Sequence, residues 1–171
     1  MIYILEKRED EFFISLNERG VSLEYCKIRN KELAQLYFAI FVKRGVTDFE
    51  FPLMTLINDI EDIEILKGYL TREKLDSFYS VDSRTKEKIN FSSELNKIYY
   101  VDASDNEYNL FYLPNRLFQT FYTSIVKLKT MKEWLIQLND ANELGDQYEA
   151  TLLGYSSEGL SRSDLFVTKE K

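Results

Sequence analysis

The first 28 residues alternate between short apolar stretches and polar turns. Apolar residues concentrate at 2–5, 12–16 and 21–28, and a polar segment that ends in Gly20 separates the last two stretches. Glycine can take the positive φ that a tight hairpin turn often requires. We therefore expect a hairpin over residues 12–28 and two or three antiparallel strands at the beginning of the fold.

After residue 30 the apolar spacing changes to three and four residues, which is typical of an amphipathic helix. The helical face consists of Leu33, Leu36, Tyr37, Ile40 and Phe41. Asn30 is placed to cap this helix and Gly45 to end it. A second helix is predicted after Pro52, and a shorter one over residues 72–79 with Thr71 as its cap. The polar segment 80–88 is expected to be an exposed loop.

A second hairpin is predicted in residues 97–113, where two aromatic segments flank the turn formers at 103–106. Pro114 closes it. One helical face then runs through residues 117–128, and Thr130 with Glu133 forms a capping box for another helix that ends at Gly145. Residues 147–155 are typical of a last strand. We therefore predict an α+β fold, in which one antiparallel sheet formed by both hairpins carries about five helices, mainly on one face.

Composition and length favour one self-sufficient domain. The chain has 171 residues, of which 44% are hydrophobic and 15% aromatic, and no linker or repeat divides it. We assign residues 1–155 to a single α+β domain and expect a polar, partly mobile tail at 156–171.

The charge of the chain argues against two classes of partner. The formal net charge is −7, so the phosphates of nucleic acid and of anionic membranes are expected to be repelled. No apolar stretch is long enough to span a bilayer, and the N-terminus does not resemble a signal peptide. Cys26 is the only cysteine, which excludes an intrachain disulfide and fits a cytoplasmic location.

Most catalytic motifs are missing from the sequence. The chain has no histidine, which excludes histidine-based nucleophile systems and general bases. No glycine-rich phosphate-binding loop is present, and Cys26 lies in a predicted strand, which is typical of a structural cysteine. No cofactor is predicted. Carboxylate chemistry with a metal ion needs no histidine, so a metal-dependent enzyme that uses residues such as Asp59 and Asp62 stays an alternative.

Acidic residues concentrate in three windows that contain no lysine or arginine. These windows lie between Arg44 and Lys67, between Lys97 and Arg116, and between Lys132 and Arg162. If they fold onto one face, their field attracts a basic protein surface. The alternative is that these acids only keep the protein soluble. Tyrosines of the second hairpin add possible interface anchors, unless they pack under a helix.

The sequence therefore predicts a non-catalytic, protein-binding inhibitor that presents an acidic surface to a basic partner such as a nuclease or toxin. A toxin immunity protein or a viral antagonist of a host defence protein would act in this way. The candidate partner-binding residues are Asp59, Glu61, Asp62, Glu64, Asp102, Asp105, Glu107, Tyr108 and Tyr112. The alternatives are a dimeric adaptor or secretion-chaperone-like protein that holds a client in an apolar groove, and the metal-dependent enzyme.

Overall fold

The computed structural model describes residues 1–110 and 112–139. In this part of the chain it contains seven strands and four α-helices, which confirms the α+β class. The strands are β1 Ile2–Arg8, β2 Glu11–Glu18, β3 Val21–Ile28, β4 Tyr79–Val81, β5 Lys88–Ser92, β6 Lys97–Val101 and β7 Glu107–Leu110. The helices are α1 Lys31–Val46, α2 Met54–Ile57, α3 Ile63–Arg72 and α4 Leu117–Asn139. Two 3₁₀ turns occupy Asp76–Phe78 and Pro114–Arg116.

The first three strands form an antiparallel meander in the order β1-β2-β3. The predicted hairpin over 12–28 is confirmed, and Gly20 takes a φ of +80° in its turn. Alternate residues of β2 point to opposite faces of the sheet. Ile14 and Leu16 are buried on the face that α1 covers, while Arg8 and Glu24 form an ion pair of 3.2 Å that is exposed to solvent.

Helix α1 begins as predicted and ends later than predicted. The Asn30 side chain accepts a hydrogen bond of 2.8 Å from the Leu33 N–H, which satisfies one of the unpaired donors of the first turn. Gly45 does not end the helix, which continues to Val46. A Cβ atom at Gly45 would collide with the ring of Tyr3 in β1. The glycine therefore allows a close approach of helix and strand.

The segment after Pro52 forms two helices, and the predicted helix over 72–79 is wrong. Thr71 lies inside α3 instead of capping a helix. The Leu75 N–H bonds to the Leu70 carbonyl at 3.0 Å, and the Lys74 N–H bonds to the Thr71 carbonyl at 3.0 Å. Lys74 has a φ of +58°. This is the Schellman ending of a helix, with lysine at the position that glycine usually occupies, so the chain passes through the 3₁₀ turn at Asp76–Phe78 into β4 instead of starting another α-helix.

The second sheet has the order β4-β5-β6-β7. The hairpin of β6 and β7 is confirmed, but the prediction of one antiparallel sheet is wrong. The described residues form two sheets, and β4 pairs with β5 in parallel. On the buried face of this sheet Phe91 packs against Phe118 and Phe121 of α4, at ring-centroid distances of 5.9 and 5.5 Å.

The polar segment 80–88, which was predicted to be an exposed loop, belongs to a strand at each of its two ends. The residues between these ends fold back over the second sheet. The first residues of the segment belong to β4, and Lys88 begins β5. Asn90 of β5 is fully buried, accepts a hydrogen bond from the Thr85 N–H at 2.8 Å and donates one to the Thr85 carbonyl at 2.9 Å. The loop is therefore fixed to the outer face of the sheet by a buried amide.

Helix α4 is the central element of the fold. It contacts α1, α2, α3 and β5, and its apolar residues belong to one connected core with both sheets. The predicted break at Thr130 is wrong, since its hydroxyl donates to the Val126 carbonyl at 2.9 Å within a continuous helix. The predicted helix end at Gly145, the strand at 147–155 and the tail at 156–171 lie outside the described residues. No helix of the described part of the chain is long and apolar enough to cross a membrane.

Candidate functional site

The predicted candidate residues of the second hairpin are held by contacts within the protein. Asp102 is 0% exposed. Its carboxylate accepts hydrogen bonds from the Asn106 N–H at 2.8 Å, the Asn106 side-chain amide at 2.9 Å and the Tyr108 hydroxyl at 3.0 Å. A buried carboxylate with three donors stabilises the turn between β6 and β7. Asp102 is therefore inside the protein and not on its acidic surface.

The other two acids of this window are neutralised by cations from elsewhere in the chain. Arg84, in the loop that folds over the sheet, donates to Asp105, and its Nε lies 3.5 Å from a Glu107 carboxylate oxygen. Lys97 of β6 forms a second ion pair with Glu107. The hydrogen bond from Arg84 and its charge hold the pKa of Asp105 below the usual value. The window between Lys97 and Arg116 contains no lysine or arginine in sequence, but in the folded protein Arg84 and Lys97 lie beside its acids.

The hydroxyl groups of Tyr108 and Tyr112 in the second hairpin also form hydrogen bonds within the protein. The Tyr108 hydroxyl donates to Asp102, and the Tyr112 hydroxyl donates to the Asn96 carbonyl. Both side chains are half-buried and pack against the core, as does the fully buried Tyr100. These rings therefore pack against the hydrophobic core instead of standing free on the surface.

The first acidic window differs from the second because most of its carboxylates have no partner among the residues that the structure describes. We call residues 47–62 the acidic segment. Asp48, Glu50, Asp59 and Glu61 are exposed there, and no lysine or arginine nitrogen of the described residues lies within 4.0 Å of their carboxylates. This segment carries exposed charge that the described part of the fold leaves uncompensated.

Two further acids at the end of this window have structural roles. Asp62 caps α3 by accepting a hydrogen bond of 2.8 Å from the Glu64 N–H. Glu64 binds Lys67, three residues further along the helix, at 2.9 Å. Of the four candidates that the sequence named in this window, Asp59 and Glu61 therefore remain without a partner in the described residues.

The acidic segment lies along the first half of α4. The Leu53 N–H donates to the Tyr122 hydroxyl oxygen at 3.2 Å, and the Asn58 side chain accepts from the Gln119 amide at 3.2 Å. Leu53 and Ile57 are buried in the core. Since a helix rises about 1.5 Å per residue, these two contacts are about 4.5 Å apart along α4. The segment is therefore anchored at its middle while its acids face solvent.

A cleft opens between the beginning of the acidic segment and α4. Its volume is about 350 Å³. The residues that line it are Thr47, Asp48, Phe49, Glu50, Pro52, Glu73, Leu75, Tyr122, Val126, Lys129 and Thr130. Three of these are acids and one is a lysine. Lys129 is bound to Glu133 on the next turn of α4, at 3.3 Å. The cleft is therefore acidic at its rim and apolar along part of its wall.

The negative charge of the cleft acts on Tyr122, one of its lining residues. The pKa of Tyr122 lies above its usual value of 10.0, chiefly because the side chain is buried. The hydrogen bond from Leu53 opposes this rise, whereas the negative charge of Glu73 adds to it. Glu73 follows α3 and lies beyond the window that the sequence singled out. Only the packing of α3 beside the acidic segment places it at this cleft.

The ring of Phe49 forms part of the wall of the cleft and lies close to two further aromatic rings that are not among the lining residues. The ring centroid of Phe49 lies 5.9 Å from that of Trp134 in α4 and 6.3 Å from that of Phe51. The Lys43 ammonium group lies 4.8 Å from the Trp134 ring centroid, a distance typical of a cation–π contact. The same aromatic group therefore already binds one cation of the chain.

Neither metal chemistry nor thiol chemistry has a formed site in the described residues. They contain no group of three or more His, Cys, Asp or Glu side chains that could hold a metal ion. Cys26 is half-buried, and burial together with the charge of Glu24 raises its pKa to about 11.

Comparison of the chain with protein-family models, with curated proteins and with solved structures found no match.

Proposed function

We propose that this protein is a non-catalytic inhibitor that binds a basic protein through its acidic segment. A toxin immunity protein and a viral antagonist of a host defence protein are the two kinds of protein that fit this proposal. The observation that carries it is the set of exposed carboxylates at Asp48, Glu50, Asp59 and Glu61, which have no cation partner in the described part of the chain. We place the protein in the cytoplasm, where the single thiol of Cys26 stays reduced.

Unpaired carboxylates on one anchored segment are suited to an interface with a basic protein. Acids that are already paired within a fold lose attraction for a partner, whereas unpaired acids can form new ion pairs across the interface. The net charge of −7 adds a long-range attraction that steers a basic partner toward the protein. Such steering weakens with salt, because the Debye length falls to about 10 Å at 0.1 M.

The proposal is tested by affinity capture from the cells that produce the protein. The wild-type protein should retain a partner rich in lysine and arginine, form a one-to-one complex with it and block its activity. We expect Asp59→Asn combined with Glu61→Gln to weaken this complex about fivefold at low salt, since each exposed ion pair contributes about 0.2–1 kcal/mol. The binding constant is measured by titration calorimetry at two salt concentrations.

The control variant combines Asp10→Asn with Glu94→Gln, which removes the same charge from two exposed turns elsewhere in the fold. It should bind as the wild-type protein does. A complex whose affinity is independent of salt and of Asp59 and Glu61 would refute the proposal. Salt-independent binding by a dimer would support the adaptor alternative.

A further inference from the structure

We propose that the cleft beside α4 is the socket for one arginine side chain of the basic partner. This inference rests on the proposed function and adds to it the chemical group that the partner inserts. The cleft lies where the beginning of the acidic segment, the end of α3 and the middle of α4 meet. Its occupant is identified by three properties of the cleft, which are its size, its charge and its aromatic wall.

The size of the cleft suits a single long side chain. Its volume of about 350 Å³ is near the lower limit of the roughly 300–1,000 Å³ found for ligand pockets. Phe49, Leu75 and Val126 provide an apolar wall along which the methylene groups of a side chain can pack. A side chain with an apolar stem and a polar end group therefore matches the walls.

The charge of the cleft requires the end group to be a cation. Asp48, Glu50 and Glu73 line the cleft, and the only lysine among its lining residues is held by Glu133 on α4. These acids do not converge on one point, because the described residues contain no cluster of three or more His, Cys, Asp or Glu side chains that could hold a metal ion. Acids that are spread along a rim suit an extended organic cation with several donors better than a bare metal ion.

The aromatic wall favours arginine over lysine. A guanidinium group is planar, stacks on aromatic rings and offers several donors to carboxylates at the same time, whereas an ammonium group is a compact and strongly hydrated charge. Phe49 lines the cleft, and the neighbouring Trp134 already has the Lys43 ammonium group at 4.8 Å from its centroid. The partner's arginine would take the corresponding place on the cleft side of this aromatic group.

The position of Trp134 provides a direct readout for the cleft. Trp134 is the only tryptophan of the chain, and its centroid lies 5.9 Å from that of Phe49. Hexa-arginine and hexa-lysine peptides serve as probes, and each is titrated into the full-length protein while the fluorescence of Trp134 is recorded. We expect a saturable change with hexa-arginine and at least threefold weaker binding of hexa-lysine.

Variants of the cleft test which residues bind the peptide. Glu50→Gln combined with Glu73→Gln should weaken hexa-arginine binding at least fivefold and abolish the change in fluorescence. The variant Phe49→Leu keeps the wall apolar and should remove the preference for arginine over lysine. Glu50 and Glu73 are both exposed, so their substitution should leave the fold intact. Thermal unfolding of each variant verifies this. The charge-matched control Asp10→Asn with Glu94→Gln should bind as the wild-type protein does.

The two proposals fail in different ways. If the Glu50 and Glu73 variant binds hexa-arginine like the control, while Asp59→Asn with Glu61→Gln binds it more weakly, the cleft proposal is overturned and the acidic segment remains the binding surface. If neither variant differs from the control, both proposals are overturned. Equal affinity for the two peptides in the wild-type protein would overturn the assignment of arginine.

Discussion

Removal of the Asp102 carboxylate is the sharpest test of how this fold uses its acids. If Asp102 were a surface acid that contacts a partner, Asp102→Ala would change binding and leave stability almost unaffected. In the structure this side chain is 0% exposed and accepts three hydrogen bonds. We therefore expect a large loss of stability.

The size of the loss follows from the donors that remain. A hydrogen bond to a charged group contributes about 1.5–3 kcal/mol, and a buried neutral donor that is left without an acceptor costs about 1–3 kcal/mol. Asn106 is exposed, so water can replace the carboxylate for its two donors. The Tyr108 side chain is half-buried and loses its acceptor more completely. Because one buried donor loses its acceptor and two others turn to water, we place the cost of Asp102→Ala at about 3 kcal/mol.

The measurement is urea unfolding followed by the fluorescence of Trp134. With a slope of about 2 kcal/mol per molar urea, a loss of about 3 kcal/mol lowers the unfolding midpoint by about 1.5 M. Asp102→Asn keeps one acceptor oxygen and should cost about half as much. Asp59→Asn is the matched control and should change stability by less than about 0.5 kcal/mol. A loss below about 1 kcal/mol for Asp102→Ala would refute this interpretation of the turn.

Three further predictions concern a thiol, an acid and an amide. Burial raises the pKa of Cys26 to about 11 from an ordinary 9.0, so its reaction with a thiol reagent at pH 8 should be about 100-fold slower than that of a free cysteine. Unfolding in urea should abolish this difference. Rapid reaction of the folded protein would contradict the prediction. Hydrogen bonds from the Ser93 N–H and hydroxyl lower the pKa of Asp82 below the usual 3.8. The stability that Asp82 contributes is thus present above about pH 4 and is lost as the pH falls through its lower folded pKa. In urea unfolding, the Asp82→Asn variant should therefore lose less stability than the wild-type protein between about pH 5 and pH 2. An unchanged pH dependence of stability in the variant would refute this assignment. Asn90→Ala removes three hydrogen bonds of a fully buried amide and should lower the free energy of unfolding by about 2–4 kcal/mol, which an unaltered urea midpoint would disprove.

The elements that the sequence predicted correctly depend on local interactions. Asn30 caps α1 through a hydrogen bond to a residue three positions away, and Gly20 supplies the positive φ of a hairpin turn between adjacent strands. The turn formers at 103–106 likewise predicted the hairpin of β6 and β7. Such features were predictable because every partner in the interaction is a near neighbour along the chain.

The errors occurred where a local signal had another use in the packed structure. Gly45 was predicted to end α1, but its lack of a side chain accommodates Tyr3 of β1. Thr130 was predicted to cap a helix, but it bonds to the preceding turn inside α4. Lys74 ends α3 in a conformation that usually indicates glycine, so no residue type marked the end of that helix. At Gly45 the outcome is decided by a tertiary contact with Tyr3 that exceeds the local preference.

The division between sequence and tertiary structure is clearest for the acidic windows. Composition and spacing already determined that the protein is strongly acidic, lacks histidine chemistry and has amphipathic elements of both periods, because these are properties of the residues themselves. Which acids remain free was decided only by folding, since ion pairs form through space and not along the chain. Arg84 neutralises Asp105 although the two residues are 21 positions apart. Packing of α3 and α4 beside the acidic segment likewise makes Glu73 and Glu50 line the same cleft.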